Sequence, residues 1–76
     1  MTDAINLNVI NDDITYEVTV YSGTLIYYIK LQANYKGAIG ILEKRLQNSQ
    51  GIFMDDNNTV GYYNLKSGDT VIAISK

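Results

Sequence analysis

Neither cysteine nor histidine occurs anywhere in these 76 residues, so no disulfide can staple the chain and no ordinary structural zinc site can form. Domains this small usually need such help or a very efficient core. Packing alone must therefore hold the chain, and the length allows one core in a single domain spanning residues 1–76. The material for a core is present: 46% of the residues are hydrophobic, 18% are charged, and the seven tyrosines each bring a large area to bury. A disordered chain lacks that apolar fraction.

The same two absences narrow function. Without His or Cys there is no imidazole base, no thiolate nucleophile and no Ser-His-Asp constellation, so the chain reads as non-enzymatic, with no cofactor and no metal. Eight acidic residues against six basic ones, a net charge of −2, provide no basic stripe for neutralising phosphates, so nucleic acid is not an expected partner. No run approaches the roughly 20 apolar residues that span a bilayer, and Met1-Thr2-Asp3-Ala4 places an acid where a signal peptide carries bases. The expectation is a cytoplasmic or virion-associated protein that meets a protein partner or another copy of itself.

Periodicity outlines the elements. Ile5, Leu7 and Val9 alternate with Asn6 and Asn8 before the turn formers Asn11-Asp12-Asp13, which makes residues 1–13 a loose arm or an edge strand. Residues 14–21 alternate cleanly, with Ile14, Tyr16, Val18 and Val20 on one face. Ser22-Gly23 then reads as a two-residue turn into a second strand over residues 24–32. That register sets Val20 against Leu25, Val18 against Tyr27, Tyr16 against Ile29 and Ile14 against Leu31, apolar on both sides throughout. Tyr35, Ala38, Ile39, Leu42 and Leu46 follow at helical spacing and predict an amphipathic helix over residues 34–48. Gly37 and Gly40 would each cost such a helix about 1 kcal/mol. Ile52-Phe53-Met54 reads as a short strand whose hairpin partner is residues 59–63, and residues 64–69 form a turn with Gly68 at positive φ. Val71-Ile72-Ala73-Ile74, four apolar residues in succession, suit a strand at the centre of a sheet. The fold class is α+β: a mixed sheet with one helix laid across the apolar hairpin face and the last strand parallel to the first.

From Tyr63-Asn64-Leu65 through Gly68-Asp69 to Thr70-Val71-Ile72-Ala73-Ile74, the sequence resembles the ending of ubiquitin-like proteins. The order of elements over residues 14–76 is similar to the β-grasp fold of that family, and the small immunoglobulin-binding β-grasp domains share the order. The sequence ends Ile74-Ser75-Lys76, without the diglycine that ubiquitin-like modifiers and sulfur carriers use. The resemblance therefore implies an interaction module rather than modifier or carrier chemistry.

Three polar clusters read as solvated turns or faces. Asp55-Asp56-Asn57-Asn58-Thr59 spaces oxygens as a calcium loop does, but Val60 and Lys66 stand where such a loop needs Gly and Glu. Asn57-Asn58-Thr59 is also a glycosylation sequon. Asp12-Asp13 and Lys44-Arg45 are adjacent pairs without a chemical partner in the pattern. The sharper feature is an apolar and aromatic set on the hairpin face turned from the helix: Tyr21, Ile26 and Tyr28, joined by Ile72 or Ile74 if the last strand lies alongside. Residues 5–10 folding over that face, or its edge pairing with another copy, would bury it instead. Two roles follow: a non-catalytic ubiquitin-like interaction module, or a structural homo-oligomer subunit of a phage virion, tail or secretion apparatus.

Overall fold

A computed structural model describes residues 3–76. Strands β1 (Ile5–Asn11) and β2 (Ile14–Val20) form an antiparallel hairpin that pairs Ile5 with Val20 and Asn11 with Ile14. Asp12 and Asp13 make the turn, with φ of 51° and 68°. Positive φ at both central residues belongs to the type I′ turn, whose twist matches that of the flanking strands. Asp tolerates this conformation, but Gly adopts it without steric cost. Asp13 makes no side-chain bond among those found, whereas Asp12 Oδ1 accepts from Lys44 Nζ at 3.0 Å. Asp13→Gly is therefore expected to stabilise the protein by about 0.5 kcal/mol, seen as a higher urea midpoint at unchanged slope.

Two elements differ from the expectation. Of residues 1–13, expected as a loose arm or an edge strand, 1–2 lie outside the described residues and 5–11 are neither: β1 pairs with β2 on one side and with β5 (Thr70–Ser75) on the other. The segment expected to pair with residues 14–21 is instead helix α1 (Ile26–Tyr35). Ile26, Ile29, Lys30 and Ala33 recur at i, i+3, i+4 and i+7 and are its buried residues. Ser22-Gly23 does turn the chain, but into this helix.

The expected helix over residues 34–48 dissolves at its glycines. Gly37, at φ 110°, follows the C-cap Lys36; the Ala38 N–H bonds the Ala33 carbonyl and the Gly37 N–H that of Asn34, a Schellman closure. Gly40 turns again at φ 78°, a short 3-10 turn covers Ile41–Glu43, and β3 (Lys44–Gln47) begins. Strand β4 (Phe53–Met54) pairs with β3 and not with residues 59–63, of which Gly61–Tyr63 is a 3-10 turn. The sheet order is β2-β1-β5-β3-β4, so the unbroken apolar run occupies the central strand as expected. Gly68 has the positive φ its turn predicts, 92°.

Helix α1 covers one face of this sheet. Leu7 and Val9 (β1), Val18 and Val20 (β2), Leu46 (β3), Met54 (β4) and Val71 (β5) meet Ile26, Ile29 and Ala33 there, with Ala38, Ile41, Val60 and Leu65 closing the ends. Tyr16 packs on the rim of this core. Tyr27, set on the helix-covered face in the expected register, is 39% exposed, and Tyr35, the first residue of the expected helical stripe, is 92% exposed because it lies two residues past buried Ala33, on the other side of α1.

Candidate interaction surface

The residues expected to share a sheet face are dispersed. In a helix, positions i and i+2 point about 200° apart, so Ile26 is fully buried while Tyr28 stands half-exposed. Tyr21 lies just past β2 and is exposed. Tyr16 Oη donates to the Gly37 carbonyl and Thr19 bonds Gln32, so β2 and α1 run in opposite directions and Tyr21 meets the helix end that carries Tyr28. Ile72 and Ile74 alone occupy the sheet face away from the helix, because Val71 points into the core.

That outer face divides in two. Over β1 and β2 it carries Asn6, Asn8, Thr15, Glu17 and Thr19, a polar half. Over β5, β3 and β4 the cross-strand partners are Ile10 with Ile72, Gln47 with Ile72 and with Phe53, and Arg45 with Ile74. Ile10, Ile72 and Ile74 are half-buried, Phe53 is exposed, and the Arg45 guanidinium lies 4.1 Å from the Phe53 ring centroid. A cation at that distance is attracted by the ring's π face. The result is an apolar patch of Ile10, Ile72 and Ile74 on β1 and β5, with Phe53 on β4 reached across Arg45 and Gln47 of β3. Sequence reasoning missed Ile10, Arg45 and Phe53 here, having placed Ile10 in an arm, Arg45 on a helix and Phe53 in a different hairpin. The strand pairing itself was the absent signal.

Beside the patch, a polar chain fixes the loops. Lys30 Nζ, from the buried side of α1, donates to Asp56 Oδ2 at 2.8 Å and to the Lys44 carbonyl at 3.0 Å. Lys44 Nζ in turn donates to Asn11 Oδ1 at 2.6 Å, and Asn11 Nδ2 to the Ile39 carbonyl. Tyr63 Oη accepts the Asp55 N–H at 2.7 Å and that of Asn58 Nδ2 at 3.1 Å, and Asp55 Oδ1 accepts the Asn57 N–H. The loop over residues 55–58 thus uses its oxygens as a self-bonded turn does. No group of three potential metal ligands occurs among the described residues. A shallow depression of about 300 Å³ bounded by Lys30, Arg45, Asp55 and Asp56 mixes both charges, with Lys30 and Asp56 paired to each other. No helix among the described residues is long and apolar enough to cross a membrane.

No protein-family model matches the chain, and neither does any curated protein. Solved structures do. A de novo design based on ubiquitin superposes with a TM-score of 0.84 at 15% identity, over 92% of this chain and 85% of the design. The C-terminal ubiquitin-like domain of human 2'-5'-oligoadenylate synthetase-like protein gives 0.81 at 24% identity, over 96% and 84%. ATBAG1, solved in complex with HSP70, gives 0.81 at 11% identity; the match covers 95% of this chain and 40% of that one. At these identities the likeness defines the fold: the chain is a ubiquitin-like β-grasp, as its C-terminal residues suggest.

Proposed function

We propose that this protein is a small non-catalytic interaction module that captures a protein partner on the patch formed by Ile10, Ile72 and Ile74 together with Phe53. The adjacency of Ile10, Ile72 and Ile74 on the paired strands β1 and β5, with exposed Phe53 across Arg45 and Gln47 of β3, is the observation that supports the reading. Arg45 at the margin favours a partner that brings an apolar side chain together with a carboxylate, since a rim charge steers encounter and fixes register. A neighbour of the same fold found in complex with HSP70 accords with an interaction role. Of the residues first expected at the site, Ile72 and Ile74 stay within it. Tyr28 belongs to the exposed side of α1 and Ile26 to the core, and Tyr21 lies just past the end of β2, away from these residues.

The test is the double variant Ile72→Ser/Ile74→Ser. Both side chains are half-buried on the outer face, so the variant should stay folded, with a thermal midpoint lowered by about 10 °C. Partner capture from the native host should fall at least tenfold. Capture that survives the substitutions at full strength would place the partner elsewhere and overturn this reading. Sedimentation at low micromolar concentration addresses the structural-subunit reading: a symmetric oligomer that the same substitutions dissociate would make the patch a self-contact.

A further inference from the structure

Strand β2 ends the sheet on one side, and an end strand presents unpaired backbone groups to any other strand that approaches. The groups that face outward follow from the hairpin. A two-residue turn closes on a hydrogen-bonded pair, here Asn11 with Ile14, so bonded pairs recur at Tyr16, Val18 and Val20. Thr15, Glu17 and Thr19 therefore turn their N–H and C=O away from the sheet. At Thr19 both groups are already taken: the Thr19 N–H donates to Gln32 Oε1 at 3.3 Å, and Gln32 Nε2 donates to the Thr19 carbonyl at 2.8 Å. A side-chain amide has the same donor and acceptor as a peptide unit, so Gln32 reaches down from α1 and stands where a neighbouring strand's backbone would stand.

We infer that Gln32 is an intramolecular plug that closes the β2 edge to strand addition by a second copy of this chain. The arithmetic of such a dimer shows why one residue suffices. An antiparallel β2 pair centred on Glu17 would bond Thr15 to Thr19 of the second copy, Glu17 to Glu17, and Thr19 to Thr15; two of these three pairs need Thr19. With Gln32 in place only the Glu17 pair is left, and there two carboxylates meet directly, a repulsive arrangement. Glu17 is thus a second guard on the same edge. At the opposite edge no such device is required, because β4 has only two residues. The inference rests on the edge geometry and is independent of the outer-face reading.

The experiment compares the wild type with Gln32→Ala, Glu17→Thr and the double variant by sedimentation velocity from 5 to 200 µM, a range chosen on the order of typical weak self-association. Amide hydrogen exchange is followed at Thr15, Glu17 and Thr19. In the wild type the Thr19 amide should be protected while those of Thr15 and Glu17 exchange freely. The double variant should dimerise at least tenfold more tightly than the wild type, with all three amides protected in the dimer. A double variant that is folded and no more associated than the wild type overturns the inference, as does a wild-type Thr19 amide that exchanges as fast as Glu17's. Gln32→Met, which keeps the stem over the sheet and removes the amide, should behave as Gln32→Ala does; if only the alanine variant associates, lost packing rather than the plug is responsible and the inference fails.

Discussion

Ile26→Ser is expected to destabilise the protein by about 4 kcal/mol, whereas Tyr28→Ser, two residues on, should cost no more than about 1 kcal/mol. Ile26 opens α1 and is fully buried in the core cluster. Truncating such a side chain removes its transfer free energy and leaves a cavity, about 2–5 kcal/mol together, and the serine hydroxyl adds the cost of an unsatisfied buried group. For a domain of 76 residues that loss lowers the thermal midpoint by about 20 °C. Tyr28 is half-exposed, and its loss removes one edge-on contact with Tyr27 at 6.2 Å between centroids. The contrast discriminates between folds. In a strand the two residues would share a face and respond alike; in a helix they point apart. Thermal denaturation of the two single variants decides it, and equal, small effects would return residues 24–32 to a strand.

Why the sequence allowed that ambiguity is visible in the residues. Leu25, Tyr27, Ile29 and Leu31 are apolar at alternate positions, and Thr24, Tyr27, Tyr28 and Ile29 favour strands, so period two is well populated. The helical stripe Ile26, Ile29, Lys30, Ala33 carries a lysine at a position that is 2% exposed. A charge at a core position hides the apolar period, because a buried lysine depends on partners that come from distant chain segments. Here they are Asp56 and the Lys44 carbonyl. One shifted element then displaced its neighbours: Arg45 moved from a helix to a strand, and residues 5–11 from an arm or edge strand to a strand paired on both sides.

What remained legible depended on short-range causes. The central strand at Val71–Ile74, the strand beginning at Ile14 and the positive φ of Gly68 each follow from local pattern or local sterics. The outer patch depends on register among β1, β5, β3 and β4, and register is set by pairings between segments far apart in the chain. Ile72 could be placed because its neighbour Val71 had to point inward. Phe53 could not, since nothing near it in the sequence says that β3 is its partner.

The pair that obscured the helix should also show an unequal response to substitution. Asp56→Ala is expected to cost about 3 kcal/mol and Lys30→Met about 1 kcal/mol, although both remove the same 2.8 Å contact. Removing the carboxylate leaves a buried ammonium with the Lys44 carbonyl and the Tyr27 ring, whose centroid is 5.9 Å away, as its remaining partners. Removing the ammonium while keeping an apolar stem of similar length leaves Asp56, whose side chain is 39% exposed and can hydrate. Water reaching the pair from the Asp56 side is the reason the larger figure sits at the lower end of the range for buried pairs. Urea denaturation of the two single variants and the double variant measures the order; Lys30→Met as the costlier change would show that Asp56, not Lys30, is the desolvated partner. A second readout connects the pair to the surface. Asp56 anchors the loop that follows β4, so releasing it should loosen Phe53 beneath Arg45 and weaken partner capture in Asp56→Ala under conditions where the variant is still folded. Lys30→Met frees the same Asp56 carboxylate, and in both variants Asp55 and Asn58 still bond Tyr63 Oη, so the two should weaken capture alike.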